Sequence, residues 1–230
     1  MKKALLLLPL FCFFCVPVLA QEHETEHKLV QFQMVLLKRA RSMPQGGIAP
    51  PLRKQHVGYY QSLLTSGKAI IAGPLQDDPE VSGVAIFNTK SAEEARAWAT
   101  ADPAVTAGFF TVELHPWWSE DVFKKNVQPS GPMTAYLAFL VRGEKWTPDK
   151  TPETEAIQKA HLANINRLAE TKKLVVAGPF GDDGALRGIF VFRVASIEEA
   201  RSLAETDPAV KAGRLALQIH PWVVPDGILP

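Results

Sequence analysis

Residues 91–117 read SAEEARAWATADPAVTAGFFTVELHPW, and residues 196–222 read SIEEARSLAETDPAVKAGRLALQIHPW. At an offset of 105 the two lines share their words in order: Glu93-Glu94-Ala95-Arg96 with Glu198-Glu199-Ala200-Arg201, Asp102-Pro103-Ala104-Val105 with Asp207-Pro208-Ala209-Val210, and His115-Pro116-Trp117 with His220-Pro221-Trp222. Extended upstream, the match runs without a gap from His56 to Trp117 against His161 to Trp222, with 25 of 62 positions identical. It takes in Ala72-Gly73-Pro74, Asp77-Asp78 and Gly83, answered by Ala177-Gly178-Pro179, Asp182-Asp183 and Gly188. Two copies make a duplicated domain rather than a solenoid, so any site is expected in two related versions.

Within each copy the apolar pattern gives the order strand, helix, strand, strand, helix, strand. Leu29 to Leu37 has the β-rich alternation of a first strand, and Tyr136 to Val141 answers it at an offset of 104. A helix is expected over about Leu52 to Ser66, closed by Gly67; its partner opens at Thr151-Pro152, a cap residue followed by a first-turn proline. Short strands follow at Ala69 to Ala72 and Val84 to Phe87, matched by Leu174 to Ala177 and Ile189 to Phe192, each pair joined by a Gly-Pro and acidic loop. Ser91-x-x-Glu94 and Ser196-x-x-Glu199 are capping boxes for the second helices. Last strands are expected at Phe109 to Leu114 and Leu215 to Ile219.

The βαββαβ order predicts an α+β fold of tandem ferredoxin-like modules with both helices on one face of each sheet. Strand residues such as Ile86, Phe87, Val191 and Phe192 are apolar on both faces. The uncovered sheet faces should therefore bury each other, forming an intramolecular α+β barrel pseudo-dimer. The expected division is 1–20 leader, 21–118 first module, 119–133 Pro/Gly-rich linker, and 134–230 second module.

The leader reading rests on Lys2-Lys3, the apolar run Ala4 to Val16, and Val18-Leu19-Ala20 before Gln21. It implies a periplasmic or secreted protein. Both cysteines, Cys12 and Cys15, fall within the leader, so the mature chain has neither a disulfide nor a thiolate site. Loss of Lys2 and Lys3 takes the formal charge from +1 to about −1, which offers no field for nucleic acid. No membrane span is expected, and about 210 residues are enough for two modules each with a core.

His56 on the first helix, Ala72-Gly73-Pro74, Ser91-x-Glu93-Glu94-Ala95, Asp102-Pro103-Ala104-Val105-x-Ala107-Gly108 and a terminal Pro116-Trp117 together resemble the YCII-related (YciI-like) domain family, and the second copy carries the same set. The resemblance implies a dimeric α+β barrel, usually built from two chains. It also implies an active site around a helix histidine and an aspartate, with similarity to lactone isomerases and chloromuconolactone dehalogenase-type enzymes. Export and fusion of two copies depart from that pattern.

The candidate catalytic residues are His56, His161, Asp102 and Asp207. His56 shares a helical stripe with Leu52, Tyr59, Tyr60 and Leu63, and His161 with Ile157, Ile165 and Leu168, so both imidazoles should face the sheet. A half-buried histidine beside a carboxylate suits proton abstraction; a satisfied core histidine is the plainer role. Asp102 and Asp207 precede proline, as N-caps of a short helical turn would, and capping and function can coexist. Asp77-Asp78 and Asp182-Asp183 are rival carboxylates on loops that read as solvated turns. His115 and His220 read as strand-end rings packed beside Pro and Trp, with a backbone hydrogen bond. His23 and His27 lie four apart in an acidic tail, a weak metal spacing.

No Gly-rich phosphate loop, nucleophile elbow, His-Glu-x-x-His or cysteine pair occurs, so no cofactor or metal site is expected. Two functions stay open: a lyase or isomerase acting on a lactone or enol with a His/Asp acid–base pair, and a small-molecule binding or interaction module without catalysis. Tyr59, Tyr60, Ser82 and Phe109 become Asn164, Ile165, Arg187 and Arg214, so the two pockets should be unequal.

Overall fold

The computed structural model describes residues 28–44, 46–125 and 130–230. The expected leader, and with it His23 and His27 of the tail, lies outside the described residues. The first half runs β1 (Leu29–Arg39), α1 (Pro50–Thr65), β2 (Ala69–Pro74), β3 (Val81–Phe87), α2 (Ala92–Thr100), α3 (Pro103–Thr106) and β4 (Phe110–Glu120). The second runs β5 (Pro132–Arg142), α4 (Pro152–Glu170), β6 (Leu174–Pro179), β7 (Leu186–Phe192), α5 (Ile197–Ala204), α6 (Pro208–Lys211) and β8 (Leu215–Pro225). The sheets are antiparallel with orders β2-β3-β1-β4 and β6-β7-β5-β8, the expected ferredoxin-like arrangement. β4 and β5 take the ends of the expected linker, leaving 121–131 between them.

Local chemistry sets the element ends. Thr151 caps α4 by accepting from the Thr154 N–H, while the Thr154 hydroxyl accepts from the Thr151 N–H, a complete capping box. The serine boxes are only half formed. Ser91 and Ser196 accept from Glu94 and Glu199 N–H as expected, but the glutamates do not reach back to the serines. Glu94 accepts from the Thr89 hydroxyl and Glu199 from the Ala195 N–H, nearer partners in the entering loops. After α1 the chain reverses at Gly67 with φ 72°; at the same place after α4, Lys172 holds φ 58°.

Pairing register corrects the first-strand offset. Gln33, Met34 and Leu36 lie opposite Phe87, Ile86 and Val84, while Tyr136, Leu137 and Phe139 lie opposite Phe192, Val191 and Ile189. The offset is therefore 103, not 104. Side chains alternate with a period of two, so a one-residue slip would exchange the two faces. The true register puts Met34 with Leu137 and Leu36 with Phe139 in the central core.

That core is shared by the halves. Phe32, Met34, Ile71, Ile86 and Trp117 pack with Leu137, Val176, Ile189, Val191 and Trp222, while the outer faces carry the helices. The barrel closes where β2 meets β8 and β4 meets β6. A Cβ on Gly73 would overlap the Val223 carbonyl, and one on Gly178 the Trp118 carbonyl, so the Ala-Gly-Pro word is there to let two backbones touch. Trp222 Nε1 donates to Gly73 O and Trp117 Nε1 to Gly178 O, both at 3.1 Å, and both indoles are fully buried.

The last strands do not stop at the His-Pro-Trp words but continue to Glu120 and Pro225. Pro116 O accepts from Gly181 N–H and Pro221 O from Gln76 N–H, across the seam. A strand residue directs N–H and C=O to the same side, so the donor each proline lacks faces the seam and its own sheet loses no bond.

Candidate functional site

In each half, α1 or α4 sets a histidine against the aspartate that opens the four-residue helix. Asp102 Oδ1 accepts from the Ala104 N–H at 3.0 Å, capping α3, and Oδ2 meets His56 Nδ1 at 2.8 Å. Asp207 Oδ1 accepts from Ala209 and Val210 N–H, and Oδ2 meets His161 Nδ1 at 2.7 Å. Both aspartates are fully buried, and the His56 and His161 side chains are 20% and 11% exposed. All four expected residues are thus brought together as two pairs, with capping and histidine binding on separate oxygens. An ionised carboxylate only accepts, so in the neutral imidazole Nδ1 carries the proton and Nε2 keeps the lone pair.

The two environments differ. His56 contacts Tyr60 and Phe110, with ring centroids 5.3 and 5.4 Å away, and borders a cavity of about 1300 Å³. Leu37, Tyr60, Phe110, Gly73, Val224 and Ile228 are among the residues that line it. His161 instead stacks on Phe190 at 6.0 Å. Tyr59 donates to Trp98 O at 2.7 Å, whereas the buried Tyr60 hydroxyl has no partner among the described residues. Burial first, and the Asp102 charge second, push both tyrosines above the ordinary phenol value, Tyr60 furthest. At the Tyr59 position, Asn164 Oδ1 accepts from Arg167 and Thr206.

The other histidines do something the sequence reading missed. His115 Nδ1 meets Asp182 of the second half at 2.7 Å and its Nε2 meets Glu113 at 2.8 Å. His220 Nδ1 reciprocates to Asp77 at 2.9 Å, with Asp78 3.3 Å from Nε2. The rings also pack on Phe180 and Phe139, but no backbone hydrogen bond is made by either ring among the described residues. The acidic loops are therefore not merely solvated turns, since one acid of each latches the opposite module. Burial would raise Asp182, but hydrogen bonds from His115 and the Gly184 N–H and the charges of His115 and Arg187 outweigh it and hold the carboxyl below its usual range. Glu113 behaves likewise: Lys38 and His115 outweigh burial. The available signal was the recurrence of Asp-Asp with His-Pro-Trp in both copies. Among the described residues no group of three His, Cys, Asp or Glu side chains is arranged to hold a metal ion.

A family model described as the YCII-related domain matches residues 38–118 and 138–223. The uncharacterised protein YjpA of Bacillus subtilis (strain 168) is 32% identical over 90 residues, which span 39% of this chain and 95% of that protein. A mutant chlorite dismutase from Candidatus Nitrospira defluvii aligns with a TM-score of 0.54 at 12% identity, over 87% of this chain and 92% of that one. A heme-binding protein from Thermus thermophilus aligns with a TM-score of 0.51 at 14% identity, over 85% and 93%. At such identities the likeness to these structures is one of fold.

Proposed function

Because the chain belongs to the YCII-related domain family and carries that domain twice, we propose that it is an exported small-molecule lyase or isomerase, acting on a lactone or enol, with His56 as general base. The observation that carries this reading is the His56–Asp102 pair at the wall of the large cavity. Asp102 fixes the ring through Nδ1, which leaves Nε2 to take a proton from a carbon next to a carbonyl. The carboxylate then faces the imidazolium across a 2.8 Å contact. A positioned base of this kind contributes roughly 10²–10⁴-fold to rate. His161–Asp207 repeats the geometry in tighter surroundings and is the second, unequal site. The leader pattern ending at Val18-Leu19-Ala20 supports a periplasmic or secreted location; mass spectrometry of the exported product should give a chain starting at Gln21.

Turnover of lactone and enol substrates should fall by about 10²-fold or more in a folded His56→Asn protein and further in the His56→Asn/His161→Asn double variant. Unchanged turnover in the double variant sinks the catalytic reading. A second reading is favoured by the capping bonds, which give Asp102 and Asp207 a structural task whether or not chemistry occurs. On that reading the cavity binds a small molecule without transforming it, and the ligand is recovered unchanged with both histidines dispensable.

A further inference from the structure

Three arginines of the second module converge on one indole. Arg142 ends β5, Arg187 lies near the start of β7, and Arg214 immediately precedes β8. Their guanidinium carbons stand 5.6, 4.7 and 5.3 Å from the ring centroid of Trp146, in the turn after β5. Each is tied down by a neutral oxygen: Arg142 donates to Asp183 O, Arg187 to Asp182 O, and Arg214 to Thr147 O and Oγ1. A guanidinium has five N–H donors, so every one of the three keeps some to spare.

Among the described residues none of these cations forms an ion pair with a carboxylate. Asp182 lies close enough to feel Arg187, but its two oxygens are committed to His115 and the Gly184 N–H. Like charges gathered around a single side chain repel one another, a cost that a bound anion would offset. The first module has nothing comparable. Arg39 occupies the Arg142 position and donates to Ser82, the Arg187 counterpart, while Phe109 stands in the place of Arg214. Arg39 and Ser82 line the cavity beside His56, and the arginine cluster occupies the corresponding place in the second module.

We propose that Arg142, Arg187 and Arg214, backed by Trp146, form a binding site for a small oxyanion, the phosphate or carboxylate group of a metabolite. Planar guanidinium forks match both groups in bidentate fashion, and stacking on the indole holds the forks in place before the anion arrives. The site is independent of His56, and it gives the second module an anion-binding surface where the first has a mainly apolar cavity.

Calorimetric titration of the full chain with inorganic phosphate, and separately with malonate, at ionic strength fixed with sodium chloride, tests the site. Saturable binding of at least one anion is expected, and the tighter of the two identifies the head group. Arg187→Ser and Arg214→Phe, which install the first module's own residues, should each weaken binding by roughly tenfold or more. Arg187→Lys, which keeps the charge but loses the fork, should fall between, and His56→Asn should bind as the unaltered protein does. Heats indistinguishable from chloride dilution, or equal binding by the folded arginine variants, overturn the proposal.

Discussion

Gly73→Ala should open the barrel seam. The added methyl would overlap the Val223 carbonyl oxygen outright and lie 2.8 Å from its carbonyl carbon, where ordinary contact begins at 3.4 Å. The obstacle is backbone of the opposite module, which no rotamer change can move, so β2 and β8 must separate by at least about 0.6 Å, and further at the oxygen. Overpacking of this kind costs about 1–3 kcal/mol. Separation also weakens two hydrogen bonds across the seam, Trp222 Nε1 to Gly73 O and Gln76 N to Pro221 O, each worth about 1 kcal/mol. The total is about 3–5 kcal/mol, a large share of the roughly 5–15 kcal/mol of a natural domain. At about 2–4 °C per kcal/mol, Tm should fall by roughly 6–20 °C. Urea unfolding and differential scanning calorimetry measure this, with near-UV circular dichroism reporting on buried Trp222. Gly58→Ala is the control: its methyl meets nothing within 4 Å in the middle of α1, and a gain of about 0.5–1 kcal/mol is expected. If Gly73→Ala unfolds within 1 kcal/mol of the unaltered protein, on the order of a single weak hydrogen bond, the close approach is not what the glycine is for.

Tyr60→Phe removes a buried hydroxyl without a partner, so urea unfolding should show no loss and up to about 1 kcal/mol of gain, whereas Tyr59→Phe should lose about 1 kcal/mol with its bond to Trp98 O. Lys172→Gly relieves a left-handed backbone that Gly67 already occupies in the first module, and should raise stability by about 0.5–1 kcal/mol in the same assay. The Asp182 carboxyl has a lower pKa folded than unfolded, so its contribution is present above the ordinary aspartate value near 4 and is lost as pH falls through the lowered value. A pH series of unfolding midpoints should therefore show less acid destabilisation in Asp182→Asn, and parallel curves would contradict the latch. Asp102→Asn keeps an oxygen for the Ala104 N–H but loses the charge beside His56, so turnover should fall while Tm changes by only a few degrees; Asp102→Ala should also lose about 1 kcal/mol of capping, seen by calorimetry.

Most of the architecture was legible because duplication and local rules carry it. Two gap-free copies fixed the module count, and the caps at Thr151, Asp102 and Asp207 were readable because a cap bonds to backbone only two or three residues away. The first-strand offset was misread because the chain between β1 and α1 differs in length between modules and the strand sequences share little identity. Only cross-strand pairing could supply the register.

The site divided in the same way. Periodicity placed His56 and His161 on inward helical faces, and the Asp-Pro word placed two caps, but nothing in the spacing of 46 residues states that Nδ1 and Oδ2 meet. The Asp182–His115 and Asp77–His220 latches lie still further from sequence logic, since their partners are 67 and 143 residues apart and face each other only after two sheets close. By itself the sequence determined the modules, their helix caps and the inward histidines, because these follow from period, propensity and bonds within a few residues. The tertiary structure alone decided which carboxylate each histidine takes, that Gly73 and Gly178 are contact points between backbones, and that a cavity opens by His56 while arginines of the other module gather around Trp146, because each depends on groups that only the folded chain brings together.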